Sequence, residues 1–123
     1  VTGYLWVALG AAVGAPLRYL TDRWVQRRHR SRMPWGTWVV NVAGSAVLGA
    51  VTGLVSSGLV GADVSLLLGT GLCGALTTWS TLAFETVRLA EQRAFVVSAA
   101  NLASSIAVGV AAAALGRLVG SMW

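Results

Sequence analysis

Three long runs of the chain carry no acidic or basic side chain: Met33–Ala62, Val64–Phe84 and Ala94–Gly116. A helix needs about 20 mostly apolar residues to cross the hydrocarbon core of a bilayer, so each run predicts one membrane span. A fourth apolar run, Tyr4–Leu20, is shorter and is interrupted by Pro16 and Arg18. Arg18 lies near its end, where a long side chain can snorkel to the interface, so this run also reads as a span. The pattern predicts an all-α membrane protein, a single unit over residues 1–123 with spans near 4–24, 35–58, 64–90 and 94–117. The loops leave no room for a soluble domain. Trp6, Trp24, Trp35, Trp38 and Trp123 fall near predicted span ends, where amphipathic rings anchor at the headgroups. Trp79 alone falls deep inside a span. Residues 1–9 contain no Arg or Lys, so the positive leader of a secretory signal is missing. Val1 reads as a start codon other than ATG or a trimmed end.

Composition agrees with this pattern: 56% of residues are hydrophobic, mean hydropathy is +0.73, and only 11% are charged, against about a quarter in soluble domains. Cys73 is the only cysteine, which excludes an intrachain disulfide and a thiolate metal cluster. The four acids, Asp22, Asp63, Glu85 and Glu91, lie at or near span ends. No Ser/His/Asp set, paired carboxylates or metal-ligand spacing occurs, so hydrolytic and redox chemistry find no support and no enzyme is expected. Residues 69–74 (GTGLCG) match the G-x-G-x-x-G dinucleotide fingerprint. That motif needs a strand before it and an acid after it; inside an uncharged span, small residues for close helix packing are the better reading.

The net charge of +5 and pI near 11.2 could suggest nucleic acid. Its distribution suggests topology instead. Residues 23–32 (RWVQRRHRSR) hold five arginines, with His29 among them, and the third loop adds Arg88 and Arg93. The opposite side has only Arg117. The positive-inside rule then predicts loops one and three in the cytoplasm and both termini outside. Nine basic residues that are all arginine, with abundant Ala, Gly and Val, suggest a GC-rich bacterial genome and a plasma membrane.

Small residues recur at helical spacing: Gly10 and Gly14 lead to Arg18 on one face of the first span, and Gly49 and Gly53 do the same in the second. Thr37, Asn41 and Ser45 stack at i, i+4 and i+8, as do Asn101, Ser105 and Gly109 in the fourth span. These side chains either bond helix to helix or form a polar track, and the pattern leaves both open. The densest polar cluster is in the third span, GALTTWSTLAFE (74–85), with Thr77, Thr78, Ser80 and Thr81 around Trp79. Gly71 and Gly74 weaken that helix, and the hydroxyls offer its backbone alternative partners. A broken membrane helix is tolerated where protein or a water-lined path takes up the freed groups, and its loosened carbonyls can coordinate a cation. The third span is therefore expected to be discontinuous near the bilayer centre.

GAAVGAPLRY (10–19), PWGTWVVNVAGSAVLG (34–49) and GLCGALTTWSTLAFE (71–85) together resemble the signature segments of the CrcB/Fluc fluoride-channel family. The resemblance covers all four predicted spans. It implies an antiparallel, dual-topology dimer of four-helix subunits that exports fluoride passively from the cytoplasm. It also implies a structural Na+ at the dimer centre, held by backbone carbonyls corresponding to Gly74 and Thr77. Asn41 would project an amide donor towards the fluoride path, with Thr37, Ser105, Thr78, Ser80 and Thr81 as polar lining. Arg18 and Glu85 match vestibule or structural positions. The family's third-span motif usually carries two phenylalanines whose ring edges flank the ion; here those positions are Trp79 and Leu82. Trp79 keeps an electropositive edge and adds an indole N–H, whereas Leu82 offers neither. The fourth-span position of Asn101 is often tyrosine in the family.

A homodimer of opposed subunits needs little orientation bias, whereas the arginine count here is seven against one. The expected assembly is thus an antiparallel pair with an oppositely oriented paralogue, the homodimer being the alternative. A non-conducting partner subunit is the second functional reading, because Leu82 removes a ring from the path. A proton-coupled multidrug exporter needs a carboxylate in its first span, and residues 4–20 contain none.

Overall fold

In lipid a backbone satisfies its N–H and C=O groups within a helix or in a closed barrel of strands, and continuous apolar runs of about 20 residues without alternation suit the helix. The computed structural model describes residues 1–123 and is helical almost throughout, with no strand. Its elements are α1 (Thr2–Arg28), α2 (Trp35–Ser56), α3 (Ala62–Val64), a π-helical run (Ser65–Cys73), α4 (Gly74–Leu76), α5 (Trp79–Glu91) and α6 (Phe95–Gly120). Three segments are long and apolar enough to cross a membrane: Trp35–Ser56, Ala62–Glu91 and Phe95–Gly120. With its 27 residues, α1 is about 40 Å long, but Arg18, Asp22 and its terminal arginines make it less apolar. Arg23, Arg27 and Arg28, expected in the first loop, extend α1 instead, so the connection shortens to residues 29–34. Arginine is a good helix former, and nothing in RWVQRR breaks the helix.

Packing rests on backbone proximity. Of 123 residues only 22 are buried, and more of these are glycines than apolar side chains. This suits lipid, where burying leucine gains nothing over leaving it among acyl chains and close van der Waals fit must hold helices together. A Cβ on Gly49 would strike the Ala113 carbonyl, one on Gly53 the Arg117 carbonyl, and one on Gly116 or Gly120 the carbonyl of Ala46 or Ala50. These pairings rise together in number, so α2 and α6 run side by side in the same direction. Similarly, Gly3 lies beside Leu66, Gly10 against Leu67 and Leu72, and Gly14 against Leu72 and Ala75, so α1 runs with the first half of the third segment. Gly36 abuts Asp22, which makes α1 and α2 antiparallel.

Polar side chains add specific ties. The Trp38 indole N–H donates to Ser104 Oγ at 3.1 Å, joining α2 to α6. Between α5 and α6, Ser98 donates to the Thr86 carbonyl at 2.7 Å and the Asn101 amide donates to Thr86 Oγ1 at 3.0 Å. Asn101 has no exposed surface. Trp38→Phe keeps the ring and loses the indole donor, so it should cost about 1 kcal/mol, read as a lower Tm of the detergent-solubilised protein. An unchanged Tm would mean that the Trp38–Ser104 bond adds nothing to the α2–α6 seam.

The turns after α2 and α5 both close with a left-handed residue, Gly58 at φ 75° and Arg93 at φ 60°. Each is followed by a reaching bond, Leu59 N–H to the Leu54 carbonyl and Ala94 N–H to the Leu89 carbonyl. Glycine suits this conformation and arginine does not, so only the first turn is marked in the sequence.

Candidate ion path at a helix break

The third segment opens at Thr77 and Thr78. Both adopt extended backbone, at φ −83°, ψ 155° and φ −150°, ψ 118°. Before the break the chain is π-helical over nine residues, a form associated with functional positions when it occurs inside helices. Gly69 and Gly71 lie within this wider coil where α2 and α1 approach: Leu48 is 3.4 Å from where a Gly69 Cβ would be, and the Val7 carbonyl is 2.6 Å from that of Gly71.

Asn41 bridges the break. Its Oδ1 accepts from the Thr78 N–H at 2.7 Å, and its Nδ2 donates to the Thr78 carbonyl at 3.1 Å. One side-chain amide thus pairs both backbone groups of a residue that has left the helix. Gly44, one turn along α2, makes room: a Cβ there would collide with the Thr77 methyl. On the near side, Thr77 N–H and Oγ1 both donate to the Cys73 carbonyl, at 3.0 and 2.9 Å. On the far side, Thr78 Oγ1 caps α5 by accepting from the Thr81 N–H at 3.3 Å. It also donates to Thr81 Oγ1 at 3.1 Å and lies 3.3 Å from Ser80 Oγ.

Two carbonyls are left without their helical donors. In a continuous helix Gly74 would accept from the Thr78 N–H, but Asn41 takes that hydrogen. The Thr77 carbonyl accepts no backbone hydrogen bond. Both oxygens lie at the end of the first half-helix, where the helix dipole is negative.

Beside the break is an open groove of about 670 Å³ between α2, the third segment and α6. Its polar lining is Asn41, Ser45, Thr70, Thr77, Thr78 and Ser105. Ser105 Oγ is buried and has no hydrogen-bond partner, whereas Ser45 Oγ donates back to the Asn41 carbonyl at 2.7 Å. Trp79 and Leu82 occupy the α5 side, but with very different exposure, 67% for Trp79 and 4% for Leu82.

The remaining sequence candidates lie elsewhere. Thr37 is buried and donates to Glu85 Oε1 at 2.5 Å, joining the start of α2 to the far half of the third segment. Glu85 borders a separate cavity of about 180 Å³ with Arg32, Arg88 and Gln92. Arg18 is half-buried on α1 and does not reach the groove. Ser80 and Thr81 are exposed and bond to Thr78 without lining it. Sequence reasoning overlooked Gly44 and Thr86 as working positions. Gly44 sits three residues after Asn41, which could have signalled a close approach.

Residues 5–117 match the family described as "CrcB-like protein, Camphor Resistance (CrcB)". Among curated relatives, a protein of Streptomyces avermitilis named fluoride-specific ion channel FluC 1 is 55% identical over 92% of this chain and 91% of its own length. One of the same name from Frankia casuarinae is 51% identical over 98% of each chain. The fluoride-specific ion channel FluC 2 of Mycobacterium bovis is 43% identical over 94% of this chain and 89% of its own. With a family match over nearly its whole length and three apolar helical segments, this chain is a membrane protein that belongs to the CrcB family.

Proposed function

We propose that the chain is one subunit of a passive, fluoride-specific channel. The observation that carries this reading is the 55% identity, over 92% of the chain, to a relative named for that activity. The groove chemistry supports it. Fluoride must exchange its hydration shell for fixed donors, and a pore manages this with donors aimed at the path. Ser105 offers an uncommitted hydroxyl, Asn41 Nδ2 has a second hydrogen beyond the one given to Thr78, and exposed Trp79 offers an indole N–H and ring edges. Thr78 lines the groove with its hydroxyl, Ser80 and Thr81 brace that hydroxyl from outside the groove, and the Thr37–Glu85 pair and Arg18 act away from it, at the mouths of the path. No covalent step is involved.

In this reading α1 is a fourth span, and the subunit pairs with an oppositely oriented second subunit across the open groove. Loops one and three face the cytoplasm of a bacterial plasma membrane. Na+ is a hard monovalent cation that takes oxygen ligands, and the free carbonyls of Gly74 and Thr77 fit that chemistry. They would share the ion with the partner's equivalents, and the bound ion would fix the two half-helices relative to each other.

A second reading, a non-conducting partner subunit, is favoured by Leu82, which is aliphatic and buried at the edge of the groove. Fluoride efflux from liposomes separates the two. The conducting reading expects efflux from liposomes containing this chain, alone or with an oppositely biased paralogue, that stops with Ser105→Leu in this chain. If efflux needs the paralogue and ignores Ser105→Leu, this subunit is only a support.

A further inference from the structure

The connection between α1 and α2 encloses a second open groove, of about 520 Å³, lined by His29, Arg30, Ser31, Trp35 and Val39. Its two walls differ in chemistry. His29, Arg30 and Ser31 form a polar wall with a permanent positive charge, and no carboxylate lines the groove. Trp35 and Val39 are one turn apart on α2 and form an apolar wall. The Trp35 ring is held edge-on against Trp38, with centroids 5.4 Å apart at 75°. Of the nearby arginines, Arg23 donates to the Tyr19 hydroxyl at 2.8 Å, Arg28 stacks over the Trp24 ring at 4.6 Å, Arg32 borders the separate cavity beside Glu85, and neither Arg27 nor Arg32 lines this groove. Arg30 is exposed.

The groove also sits at a defined depth. Trp35 is the first residue of the apolar segment Trp35–Ser56, so it marks the boundary between headgroups and acyl chains. Arg30 and Ser31 therefore lie at headgroup level, with Val39 one turn deeper. We propose that this groove binds an anionic phospholipid, with the phosphate against Arg30 and Ser31 and the upper part of an acyl chain along Trp35 and Val39. A free anion would use only the charged wall. A zwitterionic lipid offers Arg30 the same phosphate but sets its own cationic group beside it, which weakens the net attraction to the basic wall. The anionic phospholipid matches both walls, and basic pockets beside membrane helices attract such headgroups by about 1 kcal/mol per arginine.

The test uses the full chain purified from mixed vesicles holding equal amounts of phosphatidylglycerol and phosphatidylcholine. Lipid retained by the protein is counted by native mass spectrometry. Wild type is expected to retain phosphatidylglycerol in about five-fold excess, the ratio that one arginine contact supplies. Arg30→Gln, an exposed loop change with little bearing on folding, should bring the ratio close to one, and Arg30→Lys should keep most of it. Trp35→Leu should reduce retention of both lipids. Equal retention by wild type overturns the proposal, as does a preference lost equally on Arg117→Gln, which would mark diffuse charge. If Arg30→Gln alters the number of subunits per particle and leaves lipid retention unchanged, the groove is an interface between copies and the lipid site is refuted. None of these readouts depends on fluoride conduction.

Discussion

Gly49→Leu should abolish the folded subunit. The Cβ of any residue at this position would meet the backbone carbonyl of Ala113, which no side-chain rotation can move. A four-carbon side chain must then force α2 and α6 apart. Gly53, Gly116 and Gly120 make backbone contacts along the same seam, so separation at one point costs the others. Overpacking a single site in a core usually costs about 1–3 kcal/mol. Here several contacts are lost together, and there is no hydrophobic term in lipid to offset them. The expected result is loss of the monodisperse peak in detergent size-exclusion chromatography, with Gly49→Ala intermediate. Gly61→Ala is the control, because nothing lies within 4 Å of the added methyl and its φ of −88° suits any residue. A monodisperse Gly49→Leu protein with unchanged Tm would refute the seam as the main source of stability.

Asn41→Leu should leave the subunit helical yet inactivate the proposed channel. The substitution strips both partners from Thr78, whose N–H and carbonyl are paired only with the Asn41 amide. Each backbone group left unsatisfied costs about 1–3 kcal/mol. The segment can recover part of that by closing the break and returning the Thr78 N–H to Gly74, which would move Trp79 and remove both free carbonyls. A shift of about 2 kcal/mol is worth roughly 30-fold in population, so fluoride efflux should fall by at least about that factor. Asn41→Asp keeps the acceptor for the Thr78 N–H but sets a carboxylate against the Thr78 carbonyl and the anion path, so efflux should fall there too. Hydrogen exchange at the Thr78 amide gives a readout independent of transport. Efflux within two-fold of wild type in Asn41→Leu would show that the clamp does not hold the path open.

The helix break was legible in GALTTWST because its cause is local: weak helix formers followed by hydroxyls that compete for backbone partners. Its exact position was not. The sequence marks a zone from Gly71 to Thr81, and the structure confines the opening to Thr77 and Thr78. Asn41 selects those two residues from a different helix, 37 positions away in the chain. The hydroxyls read as one cluster have separate tasks for the same reason: Thr77 bonds back to Cys73 and Thr78 caps α5, while Ser80 and Thr81 support the cap. The π-helical run left no trace in composition, since its glycines would serve equally well in an ordinary packed helix.

Some properties depend only on counting residues along the chain. The uncharged runs dictate helices in lipid, because a long continuous apolar run satisfies its backbone there within itself, whereas a closed barrel needs short alternating strands. The arginine bias and the glycine spacing are likewise properties of linear order. The tertiary structure decided which polar groups are already committed and which remain free. Thr37 turned out to be bound to Glu85 and Asn41 to Thr78, Asn101 gave its amide N–H to Thr86 but kept an unpaired Oδ1, and Ser105 kept an unpaired hydroxyl. It also separated Trp79 from Leu82, neighbours on one helix that differ between exposure and burial. Whether a side chain is free depends on distances of about 3 Å to residues on other helices, and linear order does not encode those distances.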